Sequence, residues 1–262
     1  MEAAAEVRAA VHPVGEIGRR ALRILQAEPA VTEAAAWGVT ETPQRTRVIE
    51  SLEGVAVVVT DHPEPNDLAI ACLEAGASLV TTASWGSEPG PAFADAGISL
   101  VVGANLETGI AASLALQEAV LMDTPLEVRL AWTVRGRARR RGEPIPFPDP
   151  VGSLWGQEVQ PRGWSGHNIP VKAFEAPVEG EWAGAMARVS GALDDGVQRT
   201  IVGTADQAPY LTAIALAAAV VPAGQHAYSP GRQWASAAPT AYLDRALAAG
   251  LDVASFHETA PA

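Results

Sequence analysis

Cysteine and lysine are all but missing from this chain: its 262 residues include one of each, Cys72 and Lys172. A single cysteine excludes an intramolecular disulfide and any metal cluster built from several thiolates. Cys72 stands in an apolar helical run, which fits a buried structural thiol better than a nucleophile. One lysine narrows the search for a catalytic amine to one residue. Basic charge is short as well: 18 Lys plus Arg face 30 Asp plus Glu, a formal net charge of −12. That balance opposes non-specific binding to nucleic acid or to an anionic membrane, since both need a basic footprint. No apolar run is long enough to span a bilayer and no N-terminal signal pattern is evident, so the expected location is cytoplasmic.

What the chain does have is 48 % hydrophobic residues, dominated by alanine and valine, as in an ordinary globular protein. Its length suits one or two domains. The stretch Glu6 to Leu25 reads as strand, tight turn, helix. Val7, Ala9 and Val11 alternate; His12 to Gly15 make a turn; Ile17, Ala21, Leu22 and Leu25 recur at helical spacing. This is the layout of a dinucleotide-binding βα unit. Gly15 and Gly18 occupy the second and third positions of G-x-G-x-x-G, while Pro13 stands at the first. Proline fixes φ and carries no N–H, so this turn must differ from the usual one.

The rhythm continues. Val31 to Trp37 reads as a second strand, and its tip carries Trp37, Gly38, Val39 and Thr40 with no acid to bind a ribose 2′-hydroxyl, although Glu41 follows. Arg45 and Arg47 follow, which leans the cofactor expectation toward NADP over NAD; both also suit solvated surface charges. Val55 to Thr60 is a β-branched run fit for a strand buried on both faces. Asp61 and His62 lie at its carboxyl end, where open α/β sheets bind ligands; Asp61 equally suits a helix cap. A helix over Asp67 to Ala75 ends at Gly76, strands follow at Ala77 to Thr82 and Ile98 to Val102, and an apolar helix runs to about Leu121. The pattern predicts an α/β fold: a Rossmann-like doubly wound parallel sheet over residues 1–124.

After Pro125 the pattern changes. Leu126 to Val134 and Trp182 to Ala192 alternate, as does Val197 to Thr204 after an Asp194-Asp195-Gly196 hairpin turn. Residues 135–166 are irregular and rich in proline. Helices are expected over Tyr210 to Val221 and Thr240 to Ala249, then a last strand over Leu251 to Phe256. Residues 125–262 are therefore expected to form an α+β domain with an antiparallel sheet, its C-terminal helix free to pack back on the first domain.

Three stretches carry a family resemblance: Val14-Gly15-Glu16-Ile17-Gly18-Arg19-Arg20; Val57 to Thr60 through Leu73 to Val80; and Gly97-Ile98 through Gly103-Ala104-Asn105-Leu106-Glu107-Thr108-Gly109. The chain resembles the saccharopine dehydrogenase-like oxidoreductases, with the size and layout of a dihydrodipicolinate reductase-type protein. Glu107 falls at the aspartate of a gly-x-gly-phe-asp-pro-gly pattern. The resemblance implies a nicotinamide cofactor, NADP or NAD, and redox chemistry at a C–N or C–O centre. The histidine-rich, lysine-containing motif of true dihydrodipicolinate reductases is absent, which excludes that particular activity.

On this reading the dinucleotide meets His12, Pro13, Gly15, Glu16, Ile17 and Gly18 at the turn, and Thr40, Arg45, Thr60, His62 and Asn105 at the sheet edge. Hydride transfer also needs a proton donor. His167 and Lys172, in the cluster Trp164-Ser165-Gly166-His167-Asn168, and Asp61 are the candidates; His167 and Lys172 also suit ordinary loop and surface positions. Glu107, Trp155, Trp164 and Asn168 are candidates for binding a small keto, imino or amino-acid-like substrate. A second reading is a Rossmann-like protein that has lost dinucleotide use and serves as a non-redox enzyme or a regulatory subunit. A homodimer or larger homo-oligomer is expected, with a small-molecule substrate and no metal.

Overall fold

A computed structural model describes residues 6–38, 46–63, 65–84, 89–135, 157–164, 168–178, 181–193 and 196–261. The first half alternates strands and helices: β1 (Val7–Val11), α1 (Glu16–Ala27), β2 (Val31–Trp37), β3 (Val48–Ile49), β4 (Val57–Thr60), α2 (Asn66–Ala75), β5 (Ser78–Thr81), α3 (Gly90–Asp95) and β6 (Ser99–Val102). Every pairing among these strands is parallel. The order changes direction between β1 and β4, since β2 lies on the other side of β1. A crevice forms at such a switch point, outside the carboxyl ends of the strands.

The continuous apolar runs are explained by burial on both faces. Val57 and Val59 join Val7, Val11, Leu22 and Leu25 on one side of the sheet. Val58 joins Ala10, Cys72, Leu79 and Phe93 on the other. Cys72 is fully buried, and burial pushes its thiol up to about 12. Gly76 ends α2 at φ +67, where its N–H donates to Leu73 O and Ala77 N–H to Cys72 O. A left-handed residue after the last turn satisfies those end carbonyls, and glycine adopts it without strain.

After β6 comes a single π-helical turn, Leu106–Ala111, which runs into α4 (Ala112–Val120). The second sheet contains β7 (Thr124–Arg135), β8 (Gln157–Val159), β9 (Val171–Val178), β10 (Trp182–Leu193) and β11 (Gly196–Gln207). The chain then forms α5 (Ala208–Ala218), α6 (Val220–Gly224), β12 (Gly231–Trp234), α7 (Pro239–Ala248) and β13 (Ala254–Pro261). The sheet order is β13-β11-β10-β7-β9-β8. It is mixed rather than wholly antiparallel, because β7 and β9 pair in parallel. Leu193 pairs with Gly196, so the β10–β11 hairpin closes across Asp194-Asp195, which lie outside the described residues.

Several elements differ from expectation, among them β3, β8 and β9, which the sequence reading did not place. The helix foreseen over Tyr210 to Val221 divides into α5 and α6. The last strand begins at Ala254 and runs to Pro261, instead of spanning Leu251 to Phe256. β12 has no counterpart in the sequence reading: it pairs in parallel with β6 and makes the first sheet seven-stranded. One core links the layers: Leu22 and Leu25 of α1, Leu211, Ile214 and Ala218 of α5, and Val128, Leu130 and Trp132 of β7 belong to one buried cluster. Among the described residues no helix is long and apolar enough to cross a membrane.

Candidate active site

The glycine turn fits a phosphate-binding role in part. Gly15 precedes α1, no side chain caps the helix, and a Cβ on Gly15 would meet nothing within 4 Å. The first-turn N–H groups of a helix lack intrahelical partners and favour anions. Gly18 is needed for a different reason: a Cβ there would run into the carbonyl oxygen of Pro13, so only glycine lets the helix pack against the turn. Glu16 is exposed and forms an i,i+4 ion pair with Arg20 at 3.2 Å. That pairing draws its carboxylate back along the helix.

The π turn after β6 forms the second wall. Asn105 caps it: Oδ1 accepts the Thr108 N–H at 3.0 Å, while Nδ2 donates to Thr82 O at 2.9 Å. Thr108 Oγ1 donates to Gly103 O at 2.7 Å. Gly103 sits at φ +66, where a Cβ would collide with Thr108 Oγ1. These bonds fix the backbone that carries Glu107.

Glu107 is only 12 % exposed and lies 4.0 Å from Arg162 Nε. Burial raises its pKa from the ordinary carboxylate value, Arg162 works against that rise, and Glu175 of β9 adds to it. A carboxyl group so placed holds a proton more readily than one in water.

A cleft of about 260 Å³ opens beside it. Ile17 from the start of α1 and Asn105, Leu106 and Glu107 from the π turn line one side. Trp132 and Thr133 of β7, Trp182 and Ala183 of β10, and Ala208 and Thr212 of α5 line the other. Thr133 Oγ1 accepts the Gly184 N–H at 2.7 Å, which ties β7 to β10 at this point. The cleft thus joins the carboxyl edge of the parallel sheet to the second sheet.

The remaining candidates lie in several places. Asp61 and His62 follow β4, and Thr60 Oγ1 accepts the His62 N–H at 3.0 Å. Burial raises the Asp61 pKa, against its own backbone hydrogen bond and the neighbouring His62 and His12. His12 Nδ1 lies 2.9 Å from Trp37 O at the tip of β2. Arg47 pairs with Glu33 Oε1 at 2.7 Å, and Arg8 holds the other oxygen at 3.1 Å. Trp164 packs against the core, and Asn168 is exposed. Lys172 is exposed on β9, one residue from buried Ala173. Successive strand residues face opposite ways, so Lys172 lies on the face away from Ala173 and Glu175. Thr40, Arg45, Trp155 and His167 lie outside the described residues.

Trp132, Thr133, Trp182, Arg162 and Glu175 were not foreseen as site residues. Their place depends on how the second sheet meets the π turn, and no local pattern encodes that contact.

No protein-family model matches the chain, and no curated protein matches it. Solved structures do match. DAP dehydrogenase of C. glutamicum, in complex with DAP, is 14 % identical, covers 93 % of this chain and 98 % of its own, with a TM-score of 0.57. An engineered D-amino acid dehydrogenase bound to NADP+ is 14 % identical over 93 % of this chain and 99 % of its own, TM-score 0.54. GenD2 from gentamicin A biosynthesis, in complex with NAD, is 12 % identical over 98 % and 97 %, TM-score 0.52. At these identities the likeness establishes the fold: a Rossmann-like α/β domain followed by an α+β domain, as in these dehydrogenases.

Proposed function

We propose that the protein is an NAD(P)-dependent oxidoreductase acting on a small keto, imino or amino-acid-like substrate. The observation that carries this reading is the cleft. It brings the start of the glycine-turn helix, at Ile17, within reach of a half-buried acid, Glu107, and of a tryptophan wall from another sheet. The fold it shares with dehydrogenases solved with NADP+, NAD or DAP supports it.

The residues present fit a dinucleotide. The open space at Gly15 and the uncapped start of α1 suit a pyrophosphate. When bound, the nicotinamide supplies or accepts the hydride. The chain does the rest. As a C=O or C=N carbon gains hydride, its heteroatom gains an electron pair and needs a proton. Glu107, whose burial favours the protonated form, is placed to donate it. Arg162 orients that carboxyl, and Trp132 and Trp182 keep water from the reacting centre.

The test is a melting curve with NADH, NADPH or neither. A dinucleotide present at 100 times its Kd raises stability by about 2.7 kcal/mol, and a rise is expected with at least one of them. An unchanged melting point with both at millimolar concentration would sink the proposal. It would leave the second reading, a fold that has lost its dinucleotide, which Pro13 in the first glycine place favours.

A further inference from the structure

Among the described residues no acid stands at the tip of β2 to read the adenosine ribose, and the position is filled otherwise. Trp37 and Gly38 end the strand, and the His12 imidazole from the end of β1 lies against them. The His12 and Trp37 rings stand 5.4 Å apart at 55°. Gly38 adopts φ +65, and a Cβ there would lie 2.8 Å from His12 Nδ1, so the glycine makes room for the ring. The His12 backbone is pinned too, its N–H donating to Val59 O at 2.9 Å.

This geometry fixes the ring's chemistry. A carbonyl oxygen only accepts, so Nδ1, at 2.9 Å from Trp37 O, carries the hydrogen. With no second proton on the ring, this tautomer presents Nε2 as an acceptor. We infer that His12 takes the place of the missing strand-tip acid and accepts a hydrogen bond from the ribose 2′-hydroxyl, so that the protein prefers NADH to NADPH. This rests on the proposed function.

Two neighbours support the sign of the preference. Asp61, at the tip of β4, is electrostatically coupled to His12, and His62 beside it is coupled to Asp61 as well. In its ionised form Asp61 opposes a 2′-phosphate there. Arg47 is committed to Glu33, four residues before the strand tip. At about 3.3 Å per residue that places its partner roughly 13 Å from Trp37 along the strand. The one arginine of the Arg45–Arg47 pair that lies among the described residues has its backbone beside Ala36 and turns its guanidinium toward Glu33.

The experiment measures the affinity of NADH, NADPH and reduced nicotinamide mononucleotide, which has no adenosine ribose, by calorimetry. Wild type is expected to bind NADH about tenfold or more tighter than NADPH. His12→Asn keeps a donor at the Nδ1 position, preserving the bond to Trp37 O and the fold, but has no Nε2. It should lose roughly tenfold in NADH affinity, about one hydrogen bond. Its NADPH and mononucleotide affinities and its ligand-free melting point should stay put. His12→Gln, which restores an acceptor near the Nε2 position, should recover part of the loss. Equal or tighter binding of NADPH by wild type overturns the inference and leaves the proposed function intact. So does a His12→Asn protein that binds NADH normally, or that loses all three ligands alike. Failure of wild type to bind either dinucleotide overturns both.

Discussion

At the scale of single residues, Glu107 joins an energetic cost to a chemical use. Its folded-state pKa lies above the ordinary value of 4.5, because burial outweighs the attraction of Arg162. The folded protein therefore holds this proton over a range of pH in which the unfolded chain has released it. By linkage, the stability contribution is full below pH 4.5 and is lost as pH rises through the folded pKa. Glu107→Gln removes the titration. The melting point of the variant relative to wild type should accordingly be higher at pH 8 than at pH 4. Turnover should move the other way: a positioned general acid contributes about 10²- to 10⁴-fold, so kcat should fall by about 10² or more while NADH affinity holds. Wild-type kcat in the variant would remove Glu107 from the chemistry.

At the scale of elements, the parts written in the sequence are those whose local pattern and tertiary setting agree. Val57 to Val59 read as a doubly buried strand and are one. Gly76 reads as a helix stop and adopts φ +67. The turn glycines Gly15 and Gly18 were legible by spacing, and each has a distinct physical reason. β12 was not legible: Gly231-Arg232-Gln233-Trp234 has no apolar period, and it is a strand because β6 offers a free edge beside it. The pairing of β9 with β7 was hidden likewise by its irregular, proline-rich surroundings. Of the cleft, the sequence marked Ile17, Asn105 and Glu107, which sit at glycine-punctuated helix starts. It did not mark Trp132, Thr133 or Trp182, which read as ordinary strand residues. The π turn lies between these cases: its glycines and Asn105 were visible, its hydrogen-bond closure was not. Thr108 is fully buried, with Oγ1 bonded to Gly103 O at 2.7 Å and Asn105 Oδ1 at 3.2 Å. Thr108→Val keeps the shape and the backbone bond to Asn105 Oδ1 but takes the donor from Gly103 O, which costs about 1–3 kcal/mol. Urea unfolding should register that loss, and kcat/KM should fall with it because Glu107 rides on the same turn. A loss below about 0.5 kcal/mol would mean that the turn is held by packing alone.

At the scale of the whole molecule, the chain leaves the first sheet after β6 and returns to it after β11. α5 lies along α1, α6 packs under β1 and β4, and β12 completes the sheet edge. The return is tight: a Cβ on Gly224 of α6 would lie 2.8 Å from a methyl of Val7 in β1. Val7, Leu22, Leu25 and Val57 owe their burial to a core shared with Leu211, Ile214, Val220 and Ala223. A fragment of residues 1–124 keeps six parallel strands but loses α5 and α6 from one face of them. Parallel sheets are stable only when both faces are covered, and exposing several fully buried aliphatic side chains costs about 1.5–3 kcal/mol each. That exceeds the 5–15 kcal/mol by which a domain is ordinarily stable once a handful are uncovered. The 1–124 fragment should therefore lack a cooperative thermal transition and bind hydrophobic dyes. Joining residues 208–253 to it through a flexible linker should restore the transition, because the added segment supplies α5, α6, β12 and α7 without the bulk of the second sheet. A cooperative transition in 1–124 alone would show instead that the first sheet folds independently and that the returning segment only decorates it.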